Sequence, residues 1–262
     1  MHKLIADHCN ELNRCNQRGG RMLTVFDLLD AGTLNLDLAS YLMARISRGA
    51  SFMVGALPGG AGKTTIMCAL LNFIPADVRL IAATSQAVEM AHSEKTTGRN
   101  CYICHEIGSG HYFAYLWGHD LRNYCGLLDS GHILATNLHA DDIDEIYDQL
   151  CTQNNVSQEH FNRFDLLIFI QTQGGYFDPQ RHIGKIYSSD AQSGHTLVYD
   201  RNSNVRPKAD QTNNEYITAC RTFLETEQER GIRTIEQTRQ AVIEFLENHP
   251  DKQTTATNGV NQ

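Results

Sequence analysis

Short apolar runs alternate with polar, helix-periodic stretches along most of this chain. Ser51–Gly55, Val78–Thr84, Cys101–Cys104, His132–Asn137 and Phe164–Ile170 are runs of the length and character of buried strands. Between them, Ile66–Leu71 predicts a helix that ends near Phe73-Ile74-Pro75, residues 85–100 a loop or short helix, and Asp120–Leu128 a helix stopped near Gly131. Ile143–Thr152 predicts another, with Asp141 or Asp142 as cap and acidic residues in its first turn. Ahead of the first strand, residues 1–20 predict one amphipathic helix, broken at Arg18-Gly19-Gly20-Arg21. A second helix, Leu36–Arg48, starts from Asn35 and carries Leu38, Leu42 and Ile46 on one face before Gly49 closes it. Beyond the last strand, His182–Tyr187 and Thr196–Tyr199 predict a hairpin around Ser193-Gly194. Helices follow over Asn214–Arg230 and Thr234–Asn248, and the Thr-, Asn- and Gln-rich tail from Asp251 predicts disorder.

This alternation predicts an α/β fold with a mainly parallel sheet flanked by helices and a small C-terminal helical extension. Residues 1–50 hold N-terminal helices and a linker, 51–200 the core, 201–250 the helical region and 251–262 the tail. Ligands of such folds bind beyond the carboxyl ends of the strands.

Leu57-Pro58-Gly59-Gly60-Ala61-Gly62-Lys63-Thr64-Thr65 lies between the first predicted strand and the helix that follows it. Strand, glycine-rich turn and helix is the context of a phosphate-binding loop. Gly60 and Gly62 let backbone approach phosphate oxygens, and the N–H groups at the helix start point at the anion. Lys63 supplies a cation for the β- and γ-phosphates, and the Thr64 hydroxyl suits Mg²⁺. The motif G-x-x-x-x-G-K-[ST] asks for glycine where Leu57 stands. The bland alternative is a glycine-rich turn that binds nothing.

With 262 residues, 41% of them hydrophobic and 20% charged, the chain has the composition of a globular protein with a substantial core. A net charge of −8 argues against a dedicated nucleic-acid binder. No run reaches the ~20 apolar residues of a membrane helix, and the start has no signal-peptide core. Cytoplasmic work is expected, and with it reduced thiols at the eight cysteines, which lack framework spacing. Cys101-Tyr102-Ile103-Cys104-His105 fits the haem pattern C-x-x-C-H, but it also reads as the end of a buried strand, and no second Cys/His pair completes a zinc site.

Glu106 and His139 each follow a predicted strand, so both are expected at the edge that holds the loop. A carboxylate there orients water for hydrolysis, and Glu106 is the candidate, against the alternative of an exposed loop glutamate. His132 and His139 bracket one strand; His139 is the candidate γ-phosphate contact, and His132 reads equally as a strand-edge histidine.

These residues resemble the type II/type IV secretion ATPases, hexameric motors of pilus, secretion and archaeal flagellum assembly, over roughly residues 22–248. Met22 to Leu34 is similar to the linker before the family's ATPase domain, and Leu57–Thr65 to its loop G-P-T-G-S-G-K-T-T. His105-Glu106-Ile107 resembles the G-E-[IM] of its Walker B strand. Ser130 to Ala140, SGHILATNLHA, resembles its His box T-G-H-x-x-x-S-T-L-H-A. The C-terminal helices are similar to those of archaeal-type members. The resemblance implies a RecA-like P-loop NTPase that binds ATP and Mg²⁺ through Gly59, Gly60, Ala61, Gly62, Lys63, Thr64 and Thr65. It implies Glu106 as catalytic glutamate, His139 with His132 as phosphate sensors, and Thr64 on the metal. A homo-oligomeric ring, a membrane-embedded platform protein as partner, and a place at the inner face of the cell membrane follow from it as expectations.

The sequence also departs from the family. Thr84-Ser85 replaces its Asp box, with Glu89 the nearest carboxylate; Asn100 stands at a Walker B aspartate and Gly108 at an arginine. About twenty residues precede the linker, where the family carries a large domain. These losses predict slow or differently coupled hydrolysis, with a non-catalytic nucleotide-binding scaffold as the rival. A kinase built on the same loop is disfavoured by the His box. Arg45, Arg48, Arg79, Arg99 and Arg122 are unranked candidates for an arginine acting across subunits, and the aromatic cluster around Trp117 has no assigned role.

Overall fold

A computed structural model describes residues 2–16, 19–57, 59–93, 98–174, 179–203, 205–207 and 214–249. Three helices lead in: α1 (His2–Arg14), α2 (Val25–Asp30) and α3 (Leu36–Ile46). A reciprocal capping box starts α2, with the Thr24 hydroxyl accepting from Asp27 N–H and the Asp27 carboxylate from Thr24 N–H. Asn35 caps α3 as predicted, accepting from Leu38 N–H. Then come β1 (Phe52–Gly55), α4 (Lys63–Leu71), β2 (Arg79–Ala82), α5 (Ser85–Ser93), β3 (Asn100–Ile107), β4 (Tyr115–Leu116) and α6 (Gly118–Gly126). β5 (Ile133–Leu138), α7 (Ile143–Tyr147), α8 (Gln158–Asn162) and β6 (Leu166–Gln173) complete the alternating part. The hairpin β7 (Gln180–Ser189) and β8 (His195–Asp200) and the helices α9 (Asn214–Glu229) and α10 (Ile235–Asn248) follow.

The strands form one sheet in the order β2-β3-β5-β1-β6-β7-β8, with β4 beside the end of β3. β2, β3, β5, β1 and β6 are parallel, and β7 and β8 add antiparallel. β5 thus stands between the loop-bearing strand β1 and β3. This is the mixed α/β, mainly parallel arrangement expected from the sequence, with the loop strand at its centre.

Alternating side chains feed two cores, as the pleat requires. Phe52, Val54, Cys101, Ile103, Ile133, Ala135 and Ile168 pack with apolar residues of α1 to α4, α9 and α10. Met53, Tyr102, Cys104, Leu134, Leu167 and Phe169 pack with those of α5 to α8. Cys101 and Cys104 therefore face opposite cores, which separates the two sulfurs of the C-x-x-C-H pattern and removes them as a joint haem or metal anchor. All eight cysteines are free.

Three details depart from the sequence expectation. β3 runs on to Ile107, so Glu106 lies inside the strand rather than past it. Residues 115–116 of the aromatic stretch form β4, pairing Glu106 with Tyr115 and Ile107 with Leu116. The helix after β5 changes to π-helix over Asp148–Gln153. The tail from Asp251 lies outside the described residues. Among them, no helix is long and apolar enough to cross a membrane.

The C-terminal helices are tied to α4, the helix that follows the glycine-rich loop. Arg239 of α10 is fully buried, and its guanidinium donates to the carbonyls of Asn72 (3.0 Å), Ile74 (2.6 Å) and Pro75 (2.9 Å) just beyond α4. Those carbonyls have no intrahelical donor, and the guanidinium supplies one. His8 of α1 is buried close by, its imidazole kept neutral first by desolvation and then by the Arg239 charge.

Candidate functional site

The carboxyl ends of β1, β3 and β5 meet around Lys63. Gly60 and Gly62 take left-handed φ values of +83° and +97°, which a side chain at either position would resist. Gly62 is the N-cap of α4, so the helix starts at the lysine and directs its first N–H groups into the loop. The missing glycine at Leu57 has a local explanation. Leu57 is 48% exposed and is not among the residues with positive φ. Its N–H donates to Asp141 Oδ1 (2.7 Å) and its carbonyl accepts from His139 Nδ1 (3.0 Å), which fix the start of the loop instead.

The Lys63 ammonium is buried, 3.2 Å from the Ala56 carbonyl, 3.2 Å from His139 Nδ1 and 3.3 Å from Glu106 Oε1. His139 Nε2 is 2.8 Å from the same carboxylate oxygen. Desolvation holds the lysine below its ordinary pKa, and the Glu106 charge opposes that shift. Glu106 is aimed by the backbone. The register of β3 against β5 shifts between Cys104 and Ile107, an irregularity that re-aims the side chains it carries. Tyr115 then donates to Glu106 Oε2 (3.2 Å), its phenol pushed up to about 12 by burial and by that carboxylate. The aromatic stretch thus contributes a residue to the site that composition alone did not assign. His139 is held from behind as well, because Gln149 on the π-helix donates to its carbonyl.

Gly59, Gly60, Ala61, Gly62, Lys63, Thr64, Thr65, Glu106 and His139 line one cavity of about 740 Å³. Met22, Leu23, Leu28 and Ala31 from the α1–α2 connection and α2 add an apolar wall, and Arg181 on β7 adds a cation. Arg181 is exposed, and its Cδ would lie 3.4 Å from a Cβ placed on Gly62. No sequence signal marked Arg181 or Tyr115. Sheet pairing beyond β6 brings in the first, and β3–β4 pairing the second.

The residues fit a nucleotide with its cation. Thr64 Oγ1 accepts from Asn137 Nδ2 (3.4 Å), leaving the buried Asn137 Oδ1 without a partner, while Glu106 Oε1 lacks a well-formed hydrogen bond despite its two ion-pair contacts. Unmet buried acceptors beside a hydroxyl suit water and a hydrated cation. Glu106 is the one carboxylate lining the cavity among the described residues.

Other expected participants lie elsewhere. His132 precedes β5 at the end remote from the loop, where its buried ring accepts from Asn100 N–H (3.2 Å) and meets Tyr102 edge-on. Six residues of strand, on the order of 20 Å, separate it from His139. Asn100 opens β3 at that same remote end, so an aspartate there would not reach a phosphate, and its loss says little about hydrolysis. Ser85 donates to Asp120 and Glu89 is exposed on α5; neither lines the cavity. None of the five candidate arginines lines it either. Arg45 bonds Ser188, Arg48 lies over Tyr216, Arg99 bonds Gly49 and Gly131, and Arg122 bonds Asn154.

No protein-family model and no curated protein matches the chain. Solved structures do. The VirB11 ATPase from the Brucella suis type IV secretion system is similar at 20% identity and a TM-score of 0.44, over 62% of this chain and 54% of that one. The ATPase DotB of Yersinia pseudotuberculosis is similar at 10% and 0.40, over 83% and 62%. DotB of Legionella pneumophila is similar at 13% and 0.38, over 88% and 65%. Their likeness is one of fold. This chain spans roughly half to two thirds of each of them.

Proposed function

We propose that this chain binds MgATP and hydrolyses it, as a motor subunit of the type II/type IV secretion kind that works in a homo-oligomeric ring on a membrane platform. The observation that carries the enzymatic part is the meeting of Lys63, Glu106 and His139 within 3.5 Å of one another at the mouth of a glycine loop. Their sequence context, the loop and the His box, supports the family and the ring.

Lys63 holds the β- and γ-phosphates, exchanging part of its pairing with Glu106 for them. Thr64 holds Mg²⁺, which when bound supplies charge neutralisation on the phosphate oxygens. Glu106, oriented by Tyr115, positions the attacking water. His139 lies against both Lys63 and Glu106, so loss of the γ-phosphate is felt at the end of β5 and passed to the π-helix through Gln149. Glu106 and His139 stand on the β3/β5 side of the loop and Arg181 on the β6/β7 side. Arg181 therefore suits the α-phosphate and ribose, with the apolar wall of Met22, Leu23 and Leu28 beside it for the base.

That Glu106 is the one carboxylate lining the cavity among the described residues favours a second reading, a subunit that binds nucleotide as a structural ligand without turnover. ATP turnover across a protein concentration series with Mg²⁺, beside Lys63→Ala, separates the two. Turnover rising faster than protein concentration and absent in the variant is the expected result. Binding without turnover at every concentration leaves the scaffold.

A further inference from the structure

A buried strand carries asparagine at a cost, because both ends of the amide need partners there. β5 holds one, Asn137, with no exposed surface and one residue short of the strand's end. The irregularity in β3 accounts for part of it. Cys104 pairs with Thr136 and Ile107 with Leu138, so His105 and Glu106 together face the single residue Asn137. A bulge of this kind disrupts the ladder and leaves backbone groups to be met in another way. Asn137 meets one of them by donating from Nδ2 to the His105 carbonyl (2.9 Å). A carbonyl only accepts, so this bond also fixes which end of the amide is nitrogen. Asn137 is thereby bonded to the peptide unit that enters Glu106.

Clamping the bulge leaves two observations over. The same Nδ2 reaches Thr64 Oγ1 (3.4 Å), from β5 across to the first turn of α4. The other end of the amide, Oδ1, is buried without a partner among the described residues. A clamp alone needs neither, and an orphaned buried acceptor is destabilising. The cation assigned to Thr64 accounts for both. A bond into one lone pair of the hydroxyl holds its orientation and leaves the other lone pair for a metal. The open acceptor suits a water of the metal's shell, and outer partners of this kind orient the groups that hold a metal.

We propose that Asn137 is a positioning residue that sets the Thr64 hydroxyl for Mg²⁺ and ties it to the backbone that aims Glu106. One amide then joins the side of the cavity that holds the cation to the side that holds the water. It does so from the strand that ends just before His139. The inference rests on the MgATP reading above.

Asn137→Leu keeps the size of the side chain and removes both polar ends. Calorimetric titration of the full chain with adenylyl imidodiphosphate, once with Mg²⁺ and once in EDTA, gives the gain in affinity that the metal supplies. In the variant that gain should shrink about tenfold or more, while affinity in EDTA changes by less than about twofold. A bulge clamp with no part in the metal site would move both affinities alike or neither. A metal gain equal to that of wild type therefore overturns the proposal. Asn137→Ala, which puts no apolar branch beside Thr64, is read in the same way. The wild-type chain supplies a readout that depends on no variant folding. The side-chain amide resonance of Asn137 should shift when Mg²⁺ joins the nucleotide complex, and a resonance that stays in place overturns the proposal as well. Wild type that binds no triphosphate, or binds it with no gain from Mg²⁺, is instead a failure of the MgATP reading.

Discussion

Replacing Glu106 with Gln should move binding and hydrolysis in opposite directions. In the free protein the Glu106 carboxylate lies 3.3 Å from the Lys63 ammonium. At an effective dielectric of about 20, that separation corresponds to a bare attraction of about 5 kcal/mol. Most of it is offset by desolvation of the two groups and by the phosphate charge that replaces the carboxylate. The carboxylate also repels an incoming triphosphate, so both effects favour the nucleotide once the charge is gone. A surplus of roughly 1–2 kcal/mol is a five- to thirty-fold tighter Kd for ATP. Glutamine keeps the shape and the Tyr115 contact but cannot orient water as an anion, so turnover should fall by about a hundredfold or more. Calorimetric titration with a non-hydrolysable triphosphate gives the affinity, and single-turnover hydrolysis gives the rate. Raising salt should narrow the affinity gap between wild type and variant. Weaker binding by Glu106→Gln, or hydrolysis that persists at the wild-type rate, would refute the assignment of Glu106 as both partner of Lys63 and water-positioning group.

Four further outcomes test other parts of the structure. Arg181→Ala should weaken ATP and ADP alike, about five- to tenfold, with kcat unchanged; a loss confined to ATP in equilibrium titrations would place the guanidinium at the γ-phosphate instead. His132→Phe should leave turnover within about twofold and cost about 1 kcal/mol in urea unfolding, because only the Asn100 N–H loses its acceptor. Arg239→Met should cost about 2–4 kcal/mol in the same assay, since the Asn72 and Ile74 carbonyls lose the guanidinium as donor and Pro75 keeps only Val78 N–H, and Arg239→Lys should recover little of it. His8 is held neutral when folded but binds a proton when unfolded below about pH 6.5, so the unfolded state gains protons there and stability falls with falling pH. That slope approaches about 1.4 kcal/mol per pH unit from His8 alone, and urea midpoints of His8→Leu between pH 5 and 8 should show it reduced.

The strand and helix order could be read from the sequence because apolar runs and periodic stretches alternate cleanly, and caps at Asn35 and Asp142 stand where their side chains bond. Lys63, Glu106 and His139 were legible for a related reason: each follows or closes a parallel strand, and the carboxyl ends of parallel strands share an edge. What escaped was anything set by pairing or register. Glu106 looked like a loop residue because His105 interrupts the apolar run, yet His105 is buried against Cys15 and the strand continues beneath it. Tyr115 read as one aromatic among several, since a two-residue strand leaves almost no periodic trace.

The two ends of β5 make the limit concrete. In the sequence, His132 and His139 are symmetrical: one residue before a strand and one after it. In a parallel sheet those positions are not equivalent, because all amino ends gather on one edge and all carboxyl ends on the other. His139 meets Lys63 and Glu106, whereas His132 meets Asn100, which opens the neighbouring strand on the remote edge. The same direction rule places Asn100 away from the chemistry, since a strand that ends at the glycine-rich loop must begin far from it. Among the described residues the cavity holds no second carboxylate, and Gly108 stands where the resemblance expects an arginine after Glu106. The case between motor and scaffold therefore turns on whether Glu106 alone suffices, and that is the quantity the Glu106→Gln pair of measurements isolates.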